Sequence, residues 1–272
     1  MKHDSILITG ASSGLGHSLA LTLARPGRRL FLGGRNAERL TETARQCISR
    51  GAAAEIRLCD VTHRSAMEEW VQGTGGLDMV LACAGITGGT RRPPAPDMAP
   101  YEPDAQVRQM FATNVEGVLN TVLPALRLML TQPRAQDGLR GRICAISSVA
   151  GVVSYPGTPA YSAAKAAVDR FMVATGGNMK QAGILLSSVV CGFLNTPMVA
   201  RNRFPMPGLM DVDNASRRIL RGLRRNERRI VFPHWLVAGS RFMDLLPIRL
   251  AEAYYTNQPT GAAGSMPEPD LS

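Results

Sequence analysis

The sequence has few lysines, no clustered cysteines and no long apolar run. Its lysines are Lys2, Lys165 and Lys180, so the net charge of +10 rests almost wholly on arginine. The five cysteines (Cys47, Cys59, Cys83, Cys144, Cys191) are odd in number, scattered and without C-x-x-C spacing. Most sit beside apolar residues and read as small buried hydrophobes in a reducing compartment, which argues against disulfides. The four histidines show no H-E-x-x-H or clustered spacing, so no metal site is expected. No stretch is long and apolar enough to span a bilayer. Met1-Lys2-His3-Asp4 runs straight into Ile6-Leu7-Ile8, which leaves no room for a signal peptide. A cytoplasmic location is the expectation. Aromatics make up 5% and are not interleaved with the basic residues, and no nucleic-acid motif is present, so nucleic acid is not an expected partner.

What is there is an ordinary globular composition, 45% hydrophobic and 19% charged. A chain of 272 residues can bury one sizeable core. We expect one domain over residues 1–260, including a helical extension at 233–257, and a disordered Gly/Ala/Pro/Ser tail at 261–272. The arginine excess reads first as solvated surface. The sharper reading is attraction to anionic partners: the phosphates of a cofactor, an acyl carrier, or a membrane surface.

Along the chain, short apolar runs alternate with helical patterns, the signature of a doubly wound α/β fold with helices on both faces of a parallel sheet. About seven strands are predicted: Ser5–Thr9, Leu30–Leu32, Ala54–Leu58, Met79–Ala82, Arg142–Ser147, Leu185–Val190 and Arg229–Phe232. Their unbroken apolar character suits strands buried on both faces. Helices are predicted at Leu15–Leu23, Ala37–Ser49, Arg64–Gln72 (with Thr62 as N-cap), Ala105–Leu130 and Ser162–Lys180. Gly88–Pro103, rich in Pro and Gly, reads as loop, and the apolar stretch Pro197–Asp213 as a lid candidate.

The first strand ends in Thr9-Gly10-Ala11-Ser12-Ser13-Gly14-Leu15-Gly16 and opens directly into a helix. Glycines there allow a tight turn and close backbone approach, and a helix N-terminus offers free N–H groups to a pyrophosphate. Strand, glycine turn and helix at the head of a βαβ series are the context that a Rossmann-type dinucleotide site requires. The spacing T-G-x-x-x-G-x-G resembles that of the short-chain dehydrogenase/reductase family. The end of the second strand reads Gly33-Gly34-Arg35-Asn36. It lacks the carboxylate that would bind a 2′-hydroxyl, and Arg35 is placed to pair a 2′-phosphate. NADP(H) is therefore preferred, with NAD(H) as the alternative. Asp60 and Val61 resemble the family's adenine-contacting pair.

Tyr161-Ser162-Ala163-Ala164-Lys165 puts a phenol and an ammonium on one face of a helix. A neighbouring cation favours the phenolate and tunes the group for general acid–base work. Ser148 lies just past the fifth strand, where strand C-termini line the ligand crevice. Asn114, Ser148, Tyr161 and Lys165 match the family tetrad residue by residue. The resemblance implies that hydride passes between nicotinamide and a carbonyl carbon while Tyr161 moves the proton and Ser148 orients the oxygen. It also implies that Lys165 holds the nicotinamide ribose and lowers the tyrosine pKa, and that Asn114 fixes a helix kink and a water.

The resemblance covers roughly residues 5–232, with two departures. The usual N-N-A-G reads Ala82-Cys83-Ala84-Gly85, with Ala84 and Gly85 still expected at the cofactor, and the usual P-G reads Cys191-Gly192. Gly192 and Thr196 are expected at the cofactor's amide end. Substrate residues are expected to be Val149, Tyr155 and Phe193, beside Ser148 and the Pro197–Met210 loop. The tail Trp235–Tyr255 is amphipathic and follows a basic helix around Arg217–Arg225; family members with similar tails act on hydrophobic carbonyls. The tail is expected to pack on the substrate mouth or a second subunit, with peripheral membrane contact as the sharper idea. The reading is an NADP(H)-dependent oxidoreductase acting on a hydrophobic or lipid-like carbonyl or alcohol, as a homodimer or homotetramer. A 3-oxoacyl-thioester reductase is one alternative. A non-catalytic NADP-binding sensor or assembly protein is the other.

Overall fold

A computed structural model describes residues 5–88, 101–200 and 205–256. Seven parallel strands form the central sheet: β1 (Ser5–Thr9), β2 (Arg29–Gly34), β3 (Ala53–Leu58), β4 (Met79–Ala82), β5 (Gly141–Ile146), β6 (Ile184–Cys191) and β9 (Arg229–Phe232). Their order is β3-β2-β1-β4-β5-β6-β9. β7 (Leu194–Asn195) and β8 (Met210–Asp211) form a separate two-residue parallel pair, so the expected lid stretch contains a strand.

Alternation in β1 sorts the core into two layers. Ile6 and Ile8 point to one face, packed with Leu19 of α1 (Gly14–Leu23), Leu40 of α2 (Ala37–Ser49) and Ile219 of α7 (Val212–Arg224). Leu7 points to the other, with Met67 of α3 (Arg64–Gly73), Val122 of α5 (Gly117–Thr131) and Met172 of α6 (Pro159–Met179). All of these side chains are fully buried. Truncating any one to alanine would cost roughly 2–5 kcal/mol. The fold is thus the expected Rossmann-type α/β arrangement. The strand order reverses between β1 and β4, which opens a crevice at the strand C-termini.

The structure corrects several expectations. β3 is not buried on both faces: it pairs with β2 alone, and Ile56 and Leu58 are 44% and 54% exposed. The helix expected over Ala105–Leu130 is α4 (Asp104–Phe111), then one π turn (Ala112–Glu116), then α5. Thr62 is not the cap of α3; His63 precedes the helix, and the Thr62 N–H donates to Asp60 Oδ1 at 2.9 Å. The tail is two helices, α8 (His234–Asp244) and α9 (Ile248–Thr256), separated at Pro247, which cannot continue a helix. Residues 1–4, most of the Gly88–Pro103 loop (89–100), part of the lid stretch (201–204), the end of the extension (257) and the tail 261–272 lie outside the described residues. No helix among the described residues is long and apolar enough to cross a membrane.

Candidate active site

The glycine turn is shaped by close approach. Gly10 has φ +67°, and a Cβ there would lie 2.9 Å from the backbone of Ala84. Thr9 Oγ1 ties the two strand ends together, accepting from the N–H groups of Cys83 (3.1 Å) and Ala84 (3.2 Å). This supplies a β1–β4 link where the family's asparagine is replaced by Cys83. α1 starts at Gly14 with no acidic residue in its first turn and no side-chain cap from Ser13. Its first N–H groups and positive dipole end therefore face the crevice, a fit for a pyrophosphate.

Arg35 follows β2, and its guanidinium Nη1 stands 3.6 Å from Asp60 Oδ2. Burial works to raise the Asp60 carboxyl, but the Thr62 hydrogen bonds and the Arg35 charge hold it below its ordinary value. Arg39, further along the chain, also lines the crevice. It was not anticipated, because Arg35 lies before α2 and Arg39 in its first turn, so no helical spacing links the two.

Ser148 leaves β5 and caps a short 3₁₀ turn (Val149–Gly151), its Oγ accepting from the Ala150 N–H at 3.1 Å. That turn presses on α6: a Cβ on Gly151 would come within 2.6 Å of the Lys165 carbonyl carbon. Ser147 Oγ donates to the Lys165 carbonyl at 2.7 Å, locking β5 to the same point. These contacts bring Tyr161 into hydrogen-bonding reach of the Ser148 side chain. Lys165 Nζ donates to the Ile146 carbonyl at 2.8 Å and lies 5.6 Å from the Tyr161 ring centre. Burial pushes the Lys165 ammonium down to about 8. Burial also pushes the Tyr161 phenol up, and the Ser148 hydrogen bond pulls it back only in part. Burial of the phenol thus outweighs the lowering expected from a neighbouring cation, and the Lys165 ammonium donates to the Ile146 carbonyl. Cys83 and Cys191 flank Lys165, and burial holds their thiols at about 12 and about 11, so both stay neutral around it.

All but one of the expected site residues line one cleft of about 1520 Å³. Gly10, Ser12, Ser13, Gly14, Leu15, Gly16, Arg35, Asp60 and Val61 form the end around the glycine turn and the β2 terminus, where a nucleotide is expected. Ala84, Gly85, Tyr161, Lys165, Gly192 and Thr196 form the middle, and Ser148, Val149, Tyr155 and Phe193 the far end. The exception is Asn114, expected among the catalytic and cofactor-binding residues and as the residue that fixes a helix kink. It does not line the cleft but is fully buried behind it, within the π turn. Its Oδ1 accepts from the Ile86 N–H (2.8 Å) and its Nδ2 donates to the Ile86 carbonyl (2.9 Å). A Cβ on Gly85 would sit 2.9 Å from Asn114 Oδ1 and 3.5 Å from Lys165 Nζ, so Asn114 backs the floor of the cleft at Gly85. No cluster of potential metal ligands occurs among the described residues.

Fold and cleft define a dinucleotide-type α/β oxidoreductase, and sequence comparison narrows this. Residues 4–205 match the short chain dehydrogenase family, to which this chain belongs. It is similar to an uncharacterized oxidoreductase of Myxococcus xanthus, 34% identical over 93% of this chain and 96% of the relative. It is also similar to a monensin polyketide synthase putative ketoacyl reductase of Streptomyces virginiae, 30% identical over 72% of this chain and 73% of the relative. Among solved structures, an actinorhodin polyketide ketoreductase with NADPH superposes with a TM-score of 0.72 at 25% identity, over 86% of this chain and 97% of that one.

Proposed function

We propose that this oxidoreductase interconverts a carbonyl and a secondary alcohol on a hydrophobic substrate, using NADP(H). The observation that carries it is the grouping of Tyr161, Ser148 and buried Lys165 along one cleft that begins at the α1 N-terminus, with the phenol within hydrogen-bonding reach of Ser148. NADPH, when bound, supplies the hydride. The first N–H groups of α1 would hold its pyrophosphate, and Arg35 with Arg39 its 2′-phosphate, since the end of β2 carries no carboxylate. The solved ketoreductase with NADPH supports that preference.

Ser148 holds the substrate oxygen. Tyr161, kept protonated by burial, gives that oxygen its proton in reduction and takes it back in oxidation. Lys165 stabilises the phenolate left behind and orients the cofactor ribose. Asn114 holds the floor at Gly85 from behind.

The polyketide ketoacyl reductase relatives favour a second reading, a 3-oxoacyl-thioester reductase, which uses the same chemistry on a different substrate. The test is NADPH consumption against a panel of ketones and acyl thioesters by the wild-type protein and Tyr161→Phe. Turnover should fall about 10²–10⁴-fold in the variant while NADPH binding persists. Undiminished turnover would overturn the catalytic reading, and an inert wild type that still binds NADPH would favour a sensor.

A further inference from the structure

The residues matched to the family end at 205, so α8 and α9 lie beyond them. α8 starts two residues after β9, and α9 brings Tyr254 and Tyr255 to the cleft lining. There the Tyr255 ring meets Tyr155 edge to face, with centroids 5.5 Å apart and planes at 77°. Tyr254 packs on Tyr255 in the same manner at 5.1 Å. Tyr155 is itself held by Gly157, where a Cβ would come within 2.6 Å of the Tyr155 ring. The wall these residues form is continued by Trp235, Phe242 and Met243.

Charge is distributed unevenly along the cleft. Among the described residues, its charged lining consists of Arg35, Arg39 and Asp60 at the nucleotide end and Lys165 in the middle. The α8–α9 wall contributes none. An anionic group pressed against that wall would lose hydration without gaining a cationic partner from it. Apolar surface there would gain roughly 25 cal/mol per Å² buried.

Building on the function proposed above, we infer that Tyr255 sets the far wall of the substrate chamber. We infer also that the chamber admits an uncharged ketone flanked by an apolar ring or chain. Tyr255 thereby acts as a specificity-determining residue supplied by this chain's own extension.

The experiment uses the full chain with NADPH and compares kcat/KM for cyclohexanone and for the bulkier α-tetralone. Tyr255→Phe keeps the ring edge and should leave the ratio within about twofold. Tyr255→Ala should raise the tetralone-to-cyclohexanone ratio about tenfold or more, the scale of apolar pocket discrimination. Should the alanine variant fail to fold, Tyr255→Leu, which removes the ring and opens part of the same space, is read in its place, with a rise in the same ratio expected. An unchanged ratio overturns the wall while leaving carbonyl reduction standing.

The charge assignment is tested on the wild type with methyl 4-oxocyclohexanecarboxylate against its free acid. The acid should be at least about tenfold poorer, and equal turnover overturns it. α-Tetralone binding, followed by tryptophan emission because Trp235 lines the cleft, separates the two levels. Tyr255-dependent binding without reduction in any variant supports the wall and overturns the carbonyl reading instead.

Discussion

Glu102 Oε2 accepts a hydrogen bond from the Ala160 backbone N–H at 2.8 Å, immediately before Tyr161 in the chain. The carboxylate is 4% exposed, and its other oxygen accepts from Gln106 Nε2 at 3.1 Å. It therefore satisfies an orphan N–H at the start of α6, where the helix dipole favours negative charge. Glu102→Ala should lower stability by about 2 kcal/mol. It should also reduce kcat more than it raises KM, because the phenol loses its fixed position. Glu102→Gln keeps an acceptor for Ala160 and should restore most of kcat. Thermal melts and steady-state kinetics on the pair check this, and an alanine variant that melts early with unchanged kcat would confine Glu102 to a structural role.

Arg35 discriminates between cofactors if its guanidinium pairs a 2′-phosphate. Arg35→Ala should raise KM for NADPH about 10–100-fold, the loss of one charge-assisted interaction. KM for NADH should barely move. Steady-state titration of both cofactors measures the ratio, and parallel changes in the two would assign Arg35 a general structural role.

The pH dependence of reduction follows from two groups displaced in opposite directions. Tyr161 is pushed up, so it remains a proton donor across the neutral and mildly alkaline range. Lys165 is pushed down to about 8, so its positive charge is present below that pH and lost above it. Reductive kcat/KM should be level from neutral to about pH 8 and then decline with the loss of one proton. Oxidation, which needs the phenolate, should climb with pH instead. A profile measured from pH 6 to 10 decides this; a reductive limb still level at pH 10 would count against Lys165 as the titrating cation.

Gly10→Ala tests the phosphate turn. A side chain at φ +67° costs about 1–2 kcal/mol, and the new Cβ meets the Ala84 backbone at 2.9 Å. The turn should shift away from β4, lowering Tm by several degrees and weakening NADPH binding more than it weakens folding. Differential scanning calorimetry and NADPH fluorescence titration together give the comparison.

Much of this was legible in the chain. Strands buried on both faces carry unbroken apolar runs, and those runs placed seven strands within one or two residues. β3 escaped that rule because an edge strand needs only its ladder partner, and its Ile56 and Leu58 look like core residues while facing water. The π turn was foreshadowed only by the kink that the family resemblance implied at Asn114, since a shift in hydrogen-bond register changes no residue type. Pro247 was a visible break that the amphipathic pattern around it masked. The Asn114 side chain was expected at the cleft because a motif gives spacing and not the layer in which a side chain lies. Glu102 went unread at the end of a Pro-rich stretch, and Tyr255 because a contact between the chain's tail and Tyr155 has no local signature.

The π turn carries one more implication. An extra residue in a helix offsets everything beyond it by about 100° around the axis, the angle of a single step. Removing one residue from 112–116 would let α4 and α5 merge into one regular helix, the more comfortable outcome for the backbone alone; the cost would be Asn114 swinging off Ile86. The chain thus keeps a miscounted turn in its longest helical run, and the irregularity works as an indexing pin that sets where the cleft floor stands.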